Sequence, residues 1–325
     1  MITARGLART FTARGRSVEA VRGVDLDVAA GELVGFLGPN GAGKTTTLRM
    51  LTTLIRPTAG TATVAGHDLA GDPLGVRRGI GYVAQGAGAT PNAKVGEEME
   101  LQGRLYGLGK AEARRRGVEL GERLDLSGLS DRLVKTLSGG QRRRLDIALG
   151  LVHDPKLVFL DEPTAALDPQ SRANLWEHIR ALRDTHGTTV FLTTHYLDEA
   201  DALCDRILVI DHGRIVAEGT PAALKAQVSG DLVAVSVAAD DVPRAAEIAR
   251  RVPQATEVST DGDAVRFRVP RGDQALAELL RGLDAAGIAT TSLQVHSPTL
   301  DDVFLTLTGR SLRDAEQTEA EHVPA

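Results

Sequence analysis

Cysteine is almost missing from this chain: Cys204 is the only one in 325 residues. A single thiol excludes an internal disulfide framework and fits a reducing compartment. Long hydrophobic runs are missing too. No stretch approaches the roughly 18 consecutive apolar residues that a membrane-crossing helix needs, so the chain is expected not to span a bilayer itself. The N-terminal MITARGLARTFTARG carries basic residues without a continuous apolar core, which argues against a secretory signal. No long basic block occurs and the formal net charge is −5, which argues against nucleic acid as the main partner. Lysine is scarce, with six among the 38 basic residues, and no internal repeat is visible. What is there is 42% hydrophobic and 25% charged, ordinary for a soluble chain and long enough for one large domain and a smaller one.

From about residue 30 to 220, short apolar segments alternate with helical patterns. LVGFL (33–37), IGYVA (80–84), LVFL (157–160), TVFLTT (189–194) and RILVID (206–211) read as buried strands. KTTTLRMLTTLI sets Leu48, Leu51 and Ile55 on one helical face. Continuous apolar strands separated by helices predict a largely parallel α/β sheet. The first 30 residues and TATVAG (61–66) read as shorter strands flanking it, and 95–136 as a charged helical subdomain. From 231 the pattern becomes strand, helix, strand, DGD turn, strand, helix, strand, helix, the βαββαβ order of a ferredoxin-like unit. The acidic end, RDAEQTEAEHVPA, is expected to be disordered.

GPNGAGKT, residues 38–45, follows a strand pattern and opens a helix pattern, as a P-loop requires. Gly38, Gly41 and Gly43 let successive backbone N–H groups of this loop, which also holds Pro39, Asn40 and Ala42, turn toward one anion, with the helix N-terminus adding its partial positive charge. Lys44 has the reach for β- and γ-phosphates, and Thr45, followed by Thr46, offers a hydroxyl to Mg²⁺. The chain is therefore expected to bind a nucleoside triphosphate. Asp161 and Glu162 end the strand LVFL on the side where ligands of parallel sheets gather. One acid there suits Mg²⁺ and its neighbour suits the proton of an attacking water. Gln85 follows IGYVA and His195 follows TVFLTT. Alone, either residue is commonplace in a solvated loop; four strand ends bearing a phosphate loop, two acids, Gln85 and His195 point to one site.

LSGGQRRR (137–144) is more than a simple triphosphatase needs. Ser138 and Gln141 form a capping box. Yet Gly139 and Gly140 in a first turn cost roughly 1 kcal/mol each relative to alanine. Arg142, Arg143 and Arg144 oppose the helix dipole by a few tenths to about 1 kcal/mol, and no acid precedes Asp146. Such a helix start is open to an anion. The chain's own P-loop already serves its own phosphates, so this second anion site points to a second subunit.

GPNGAGKTT, LSGGQ, LVFLDE and TTHYLDEAD occur in that order, and over residues 1–220 the chain resembles the nucleotide-binding subunit of an ATP-binding cassette (ABC) transporter. DEPTAALDP, LTTHYLDEADALCDRILVIDHGRIVAEGTP and SPTLDDVFLTLTG resemble the bacterial drug-exporter branch of daunorubicin-resistance type, whose extra C-terminal domain matches 231–308. The resemblance implies a P-loop ATPase domain over 1–225 with a helical subdomain near 86–140, and then the ferredoxin-like domain. In 231–308 His296 stands alone and DGD reads as a hairpin turn, so with no ligand-type cluster a regulatory or dimer-stabilising role is expected there in preference to a second active site. The tail would run from 309 to 325. The resemblance also implies ATP and Mg²⁺ as cofactors, Lys44 and Thr45 on phosphate and metal, and Asp161 and Gln85 serving the metal. Glu162 would be the catalytic base and His195 the γ-phosphate contact. Phe11 would stack on adenine, and Ser138, Gly139, Gly140 and Gln141 would reach ATP held by a second copy paired head to tail. Asp168 matches the loop that crosses that interface; Ala165 stands where many cassettes have serine, which predicts weaker coupling there. The implied setting is the cytoplasmic face of a bacterial membrane, beside a separate permease. Competing readings are a lipid exporter or an importer, a non-transport cassette, and a kinase-like P-loop enzyme; LSGGQ counts against the last.

Overall fold

The computed structural model describes residues 1–13, 16–86, 88–228 and 230–309. The expected acidic tail lies outside the described residues. The chain divides into a compact unit from Met1 to Pro221 and a second beginning at Ala222.

In the first unit the five apolar runs form strands, Leu33–Leu37, Ile80–Val83, Leu157–Asp161, Thr189–Thr194 and Arg206–Asp211. Their spatial order, with the edge strand Arg214–Gly219, is Arg214–Gly219, Arg206–Asp211, Leu33–Leu37, Thr189–Thr194, Leu157–Asp161, Ile80–Val83. All pairs are parallel except that of the edge strand with Arg206–Asp211. Leu33–Leu37 and Leu157–Asp161 are buried at every position, as a sheet covered on both faces demands. Phe191 anchors the core, its ring centroid 5.6 Å from those of Phe36 and Phe159.

The N-terminal strands differ from expectation. Ile2–Ala13 and Arg16–Val28 span 12 and 13 residues, and with Ala59–Val64 and His67–Asp68 they build a separate antiparallel sheet instead of short flanks. Register shifts near Leu7 break the alternation, so each long strand reads in sequence as fragments. Helices Val95–Leu105 and Lys110–Arg123, then a 3₁₀ turn Val134–Thr136, occupy the charged stretch. After it comes the helix that opens in SGGQ, Gly139–Leu151.

The second unit is an antiparallel sheet ordered Thr256–Asp261, Ala264–Val269, Asp231–Val237, Thr290–His296. That is the ferredoxin-like order. Helices Val242–Arg251 and Gly272–Ala285 contribute Ala245, Ala249, Leu279 and Leu283 to its core, against Val233, Val235 and Phe267. Asp261 pairs with Ala264 across a two-residue loop in which Gly262 has φ +61°, so DGD is a hairpin turn.

Candidate nucleotide-hydrolysis site

The phosphate loop leaves the strand Leu33–Leu37 and ends at the helix Lys44–Leu51. Gly43 caps that helix with φ 107°, a conformation open to glycine, and a Cβ there would stand 2.6 Å from Ala20 O. At Gly38 a Cβ would collide with Ile210 O. The loop is thereby held close against its neighbours, with Asn40 and Gly41 exposed, Pro39 and Ala42 buried, and Thr45 and Thr46 half-buried. Lys44 is buried, and its Nζ donates to Gly38 O at 2.7 Å and Pro39 O at 2.9 Å. The ammonium is thus fixed under the turn that would cradle phosphate.

Three strand ends converge on this loop. Asp161 closes its strand, 2% exposed, and its Oδ1 accepts from Thr193 Oγ1 at 2.7 Å and Thr45 Oγ1 at 3.2 Å. Glu162 sits at φ 45°, strained for a residue with a side chain. Its backbone N–H donates to Thr193 Oγ1 at 3.0 Å and Thr193 O at 3.1 Å, so Thr193 fixes both acids. The Glu162 carboxylate meets three of the expected partners. Gln85 Nε2 donates to Oε2 at 2.8 Å, Lys44 Nζ lies 3.5 Å from Oε1, and His195 Nδ1 lies 3.3 Å from Oε1 as an electrostatic contact without hydrogen-bond alignment. Burial opposes ionisation of Glu162, but His195 and then Lys44 prevail and hold its carboxyl below the ordinary value of 4.5. An ionised, strained carboxylate beside the phosphate loop has the charge a general base needs.

Thr45 and Asp161 present two hard oxygens to one point. Mg²⁺ takes one or two protein oxygens and completes its octahedron with phosphate and water, so this pair fits it. Among the described residues no group of three or more His, Cys, Asp or Glu could hold a metal by protein ligands alone. Gln85, expected to serve the metal, is joined through its amide nitrogen to Glu162.

Away from this cluster, Ser138 caps the helix Gly139–Leu151. Its Oγ accepts from Gln141 N at 3.2 Å, and Gln141 Oε1 accepts from Ser138 N at 3.1 Å, completing the capping box. The first turn carries no acid. Ser138 and Gly139 are exposed, and a Cβ on Gly140 would meet Ser171 Oγ at 3.1 Å. Asp168 caps the next helix, Pro169–Asp184, accepting from Ser171 N at 2.9 Å, so the turn of SGGQ abuts the start of the Asp168 helix. Phe11 stands 40% exposed with the Arg9 guanidinium 4.6 Å from its ring centre.

Four residues escaped the sequence reading. Thr193 was lost inside an apolar strand. Arg143 is buried, although RRR reads as a solvated run. Asp146 is buried on the same helix. Glu199 is wholly buried: Oε1 accepts from Thr164 at 2.8 Å and Trp176 at 3.2 Å, tying the helix after His195 to the segment after Glu162. A carboxyl one turn after TTHY was the available signal.

A sheet of this topology with a phosphate loop, a strand-end acid pair and a capped SGGQ helix defines an ABC-type ATPase. Residues 21–165 match the family model described as ABC transporter, and 219–308 that of the ATP-binding protein DrrA1-3-like, C-terminal domain. The daunorubicin/doxorubicin resistance ATP-binding protein DrrA of Streptomyces peucetius is 45% identical, covering 98% of this chain and 96% of that one. The Nod factor export ATP-binding protein I of Ralstonia nicotianae is 41% identical, covering 90% of each. The ATP-binding cassette MJ0796, solved as a dimer in a post-hydrolysis state bound to ADP and Pi, superposes with a TM-score of 0.62. It has 27% identity, covering 68% of this chain and 98% of that one. The chain belongs to the ABC transporter family, as an ATP-binding and ATP-hydrolysing subunit, and within it to the daunorubicin-resistance type.

Proposed function

We propose that two copies of this chain pair head to tail, closing two ATP molecules between them, and that hydrolysis energises export of drugs or other hydrophobic compounds through a separate membrane permease. One observation carries the reading. Lys44, Gln85, Asp161, Glu162 and His195 form a single cluster, while Ser138 and Gly139 at the start of the SGGQ helix stay exposed, with no acid in its first turn. The cluster supplies everything but a cap on the far side of the nucleotide, and the turn of a second copy supplies that cap.

In this reading the loop 38–46 and Lys44 hold the β- and γ-phosphates, and Phe11 stacks on adenine. Mg²⁺, held by Thr45 and Asp161 and approached by Gln85, would neutralise phosphate charge during transfer. Gln85 orients Glu162, which takes the proton of the attacking water, and His195 meets the γ-phosphate. Ser138, Gly139, Gly140 and Gln141 of one protomer face the nucleotide of the other, with Asp168 beside them.

No helix among the described residues is long and apolar enough to cross a membrane. In this reading the chain lies peripherally, on the cytoplasmic face, against its permease. A cavity of about 570 Å³ supports a contact there, lined by Leu54, Leu74, Tyr82, Leu105 and Tyr106, of which Leu105 is 73% exposed. Tyr82 lies three residues before Gln85, a short route from that groove to the base. The second unit contributes no residue to the cluster, and we give it the regulatory or dimer-stabilising role.

The resistance protein of Streptomyces peucetius supports a drug as cargo, whereas the Nod factor export relative supports a different exported amphiphile. The test is accumulation of daunorubicin in a sensitive host expressing the permease with this chain. Lower accumulation with the wild type than with Lys44→Ala supports drug export. Equal accumulation despite intact ATPase activity favours another cargo.

A further inference from the structure

The helix Gly139–Leu151 has a second set of contacts that the cassette motifs do not describe. One turn beyond SGGQ, Arg143 points inward and is 7% exposed. Its guanidinium donates to Ala84 O at 2.6 Å, Pro163 O at 2.8 Å, Asp161 O at 2.9 Å and Glu162 O at 3.4 Å. One turn further, the buried Asp146 accepts from Gly88 N at 3.1 Å. Ala84 and Gly88 lie on either side of Gln85. One rigid helix thus grips the Gln85 segment from both sides and the Asp161–Glu162 strand end by its carbonyls.

The geometry of the donor matters. A guanidinium presents five N–H groups in a fixed plane, enough for several main-chain carbonyls at once, whereas an ammonium is a compact point donor. A buried cation without such partners is costly, so Arg143 holds these acceptors as a set. Movement of the helix must then move the base and Gln85 together, or break the set. Arg142 and Arg144 turn elsewhere, Arg142 to Val134 O and Arg144 to Asn174 Oδ1 and Asp125 O, and neither reaches the acid pair.

We propose that Arg143, with Asp146, is a positioning pair that couples the nucleotide of the partner protomer, met by Ser138–Gln141, to this protomer's own Glu162 and Gln85. The proposal rests on the paired-site reading above. It makes the two composite sites cooperative through one helix in each protomer, and it assigns Arg143 no contact with ATP. None of its hydrogen bonds goes to residues 38–46.

The test uses the purified full chain, with ATPase rate measured against ATP concentration and binding of trinitrophenyl-ATP measured separately. Wild type is expected to show a Hill coefficient above 1; a coefficient of 1 with a rate per chain independent of protein concentration removes the paired reading and the proposal with it. Arg143→Lys keeps charge and stem but loses the fork. Its kcat should fall about 10- to 100-fold, the scale of a small misplacement of catalytic groups. Its Hill coefficient should drop to 1, and its nucleotide affinity should stay within about twofold, as for sites that share no partner. A wild-type Hill coefficient in Arg143→Lys, with or without a lower kcat, overturns the coupling role. Should that variant fail to fold by circular dichroism, Asp146→Ala is read by the same criteria: loss of cooperativity at unchanged affinity supports the pair, and retained cooperativity overturns it.

Discussion

At the scale of single residues, the proposed chemistry centres on Glu162. Its backbone is strained at φ 45° and its carboxylate is held ionised by His195 and Lys44 despite burial. Glu162→Gln preserves shape and the Gln85 contact but cannot take a proton. Hydrolysis should fall about 100- to 10,000-fold, the usual worth of a general base, while ATP binding persists. Single-turnover hydrolysis near the wild-type rate would remove Glu162 from that role. Glu199 shows the opposite electrostatics. Burial pushes its carboxyl above the ordinary value of 4.5, against the hydrogen bonds from Thr194, Thr164 and Trp176. A carboxyl whose folded pKa is raised holds its proton better when folded, so stability is fully present below the unfolded pKa and is lost as pH rises toward the folded one. Glu199→Gln cannot ionise and keeps the carbonyl acceptor for Thr164 and Trp176. Relative to the wild type, its melting temperature should therefore rise as pH climbs above 4.5, and a difference between the two that does not change with pH would contradict this account.

At the scale of elements, legibility in sequence followed burial. Strands such as Leu33–Leu37, buried throughout, write their environment as an unbroken apolar run, and each was placed to within a residue or two. The phosphate loop and the capping box were legible because their contacts are local in sequence. The N-terminal sheet was less so, since bulges interrupt its alternation and one face is exposed. Arg143 and Thr193 were not legible: a guanidinium among carbonyls from residues 84 and 161–163, or a hydroxyl between two acids, is set by tertiary neighbours and looks ordinary in a string. The phosphate loop also yields an element-scale expectation. Gly43→Ala puts a side chain at φ 107°, where left-handed backbone costs about 1–2 kcal/mol before its clash with Ala20 O is counted. Chemical denaturation should show that loss, with nucleotide affinity falling as well; unchanged stability and affinity would mean that the loop relaxes freely.

For the whole molecule, the separation of chemistry from the second unit has a direct consequence. The proposed catalytic cluster lies between residues 38 and 195, and the second unit has its own core of Val233, Phe267 and Leu279. A chain ending near Gln227 should stay folded and bind ATP, yet pair less well or lose coupling to its permease. Equal dimer content by sedimentation together with unchanged efflux would leave the second unit without the role given to it. The claim that organises all the others is that hydrolysis requires two copies. The measurement that reaches it most directly is the ATPase rate per chain across a wide range of protein concentration, with sedimentation of Glu162→Gln in the presence of ATP as the physical counterpart. The account predicts a rate per chain that climbs steeply with concentration before levelling off, and an ATP-dependent dimer of Glu162→Gln that Gly140→Asp abolishes. A monomer by sedimentation that hydrolyses ATP at a rate per chain independent of concentration would contradict it.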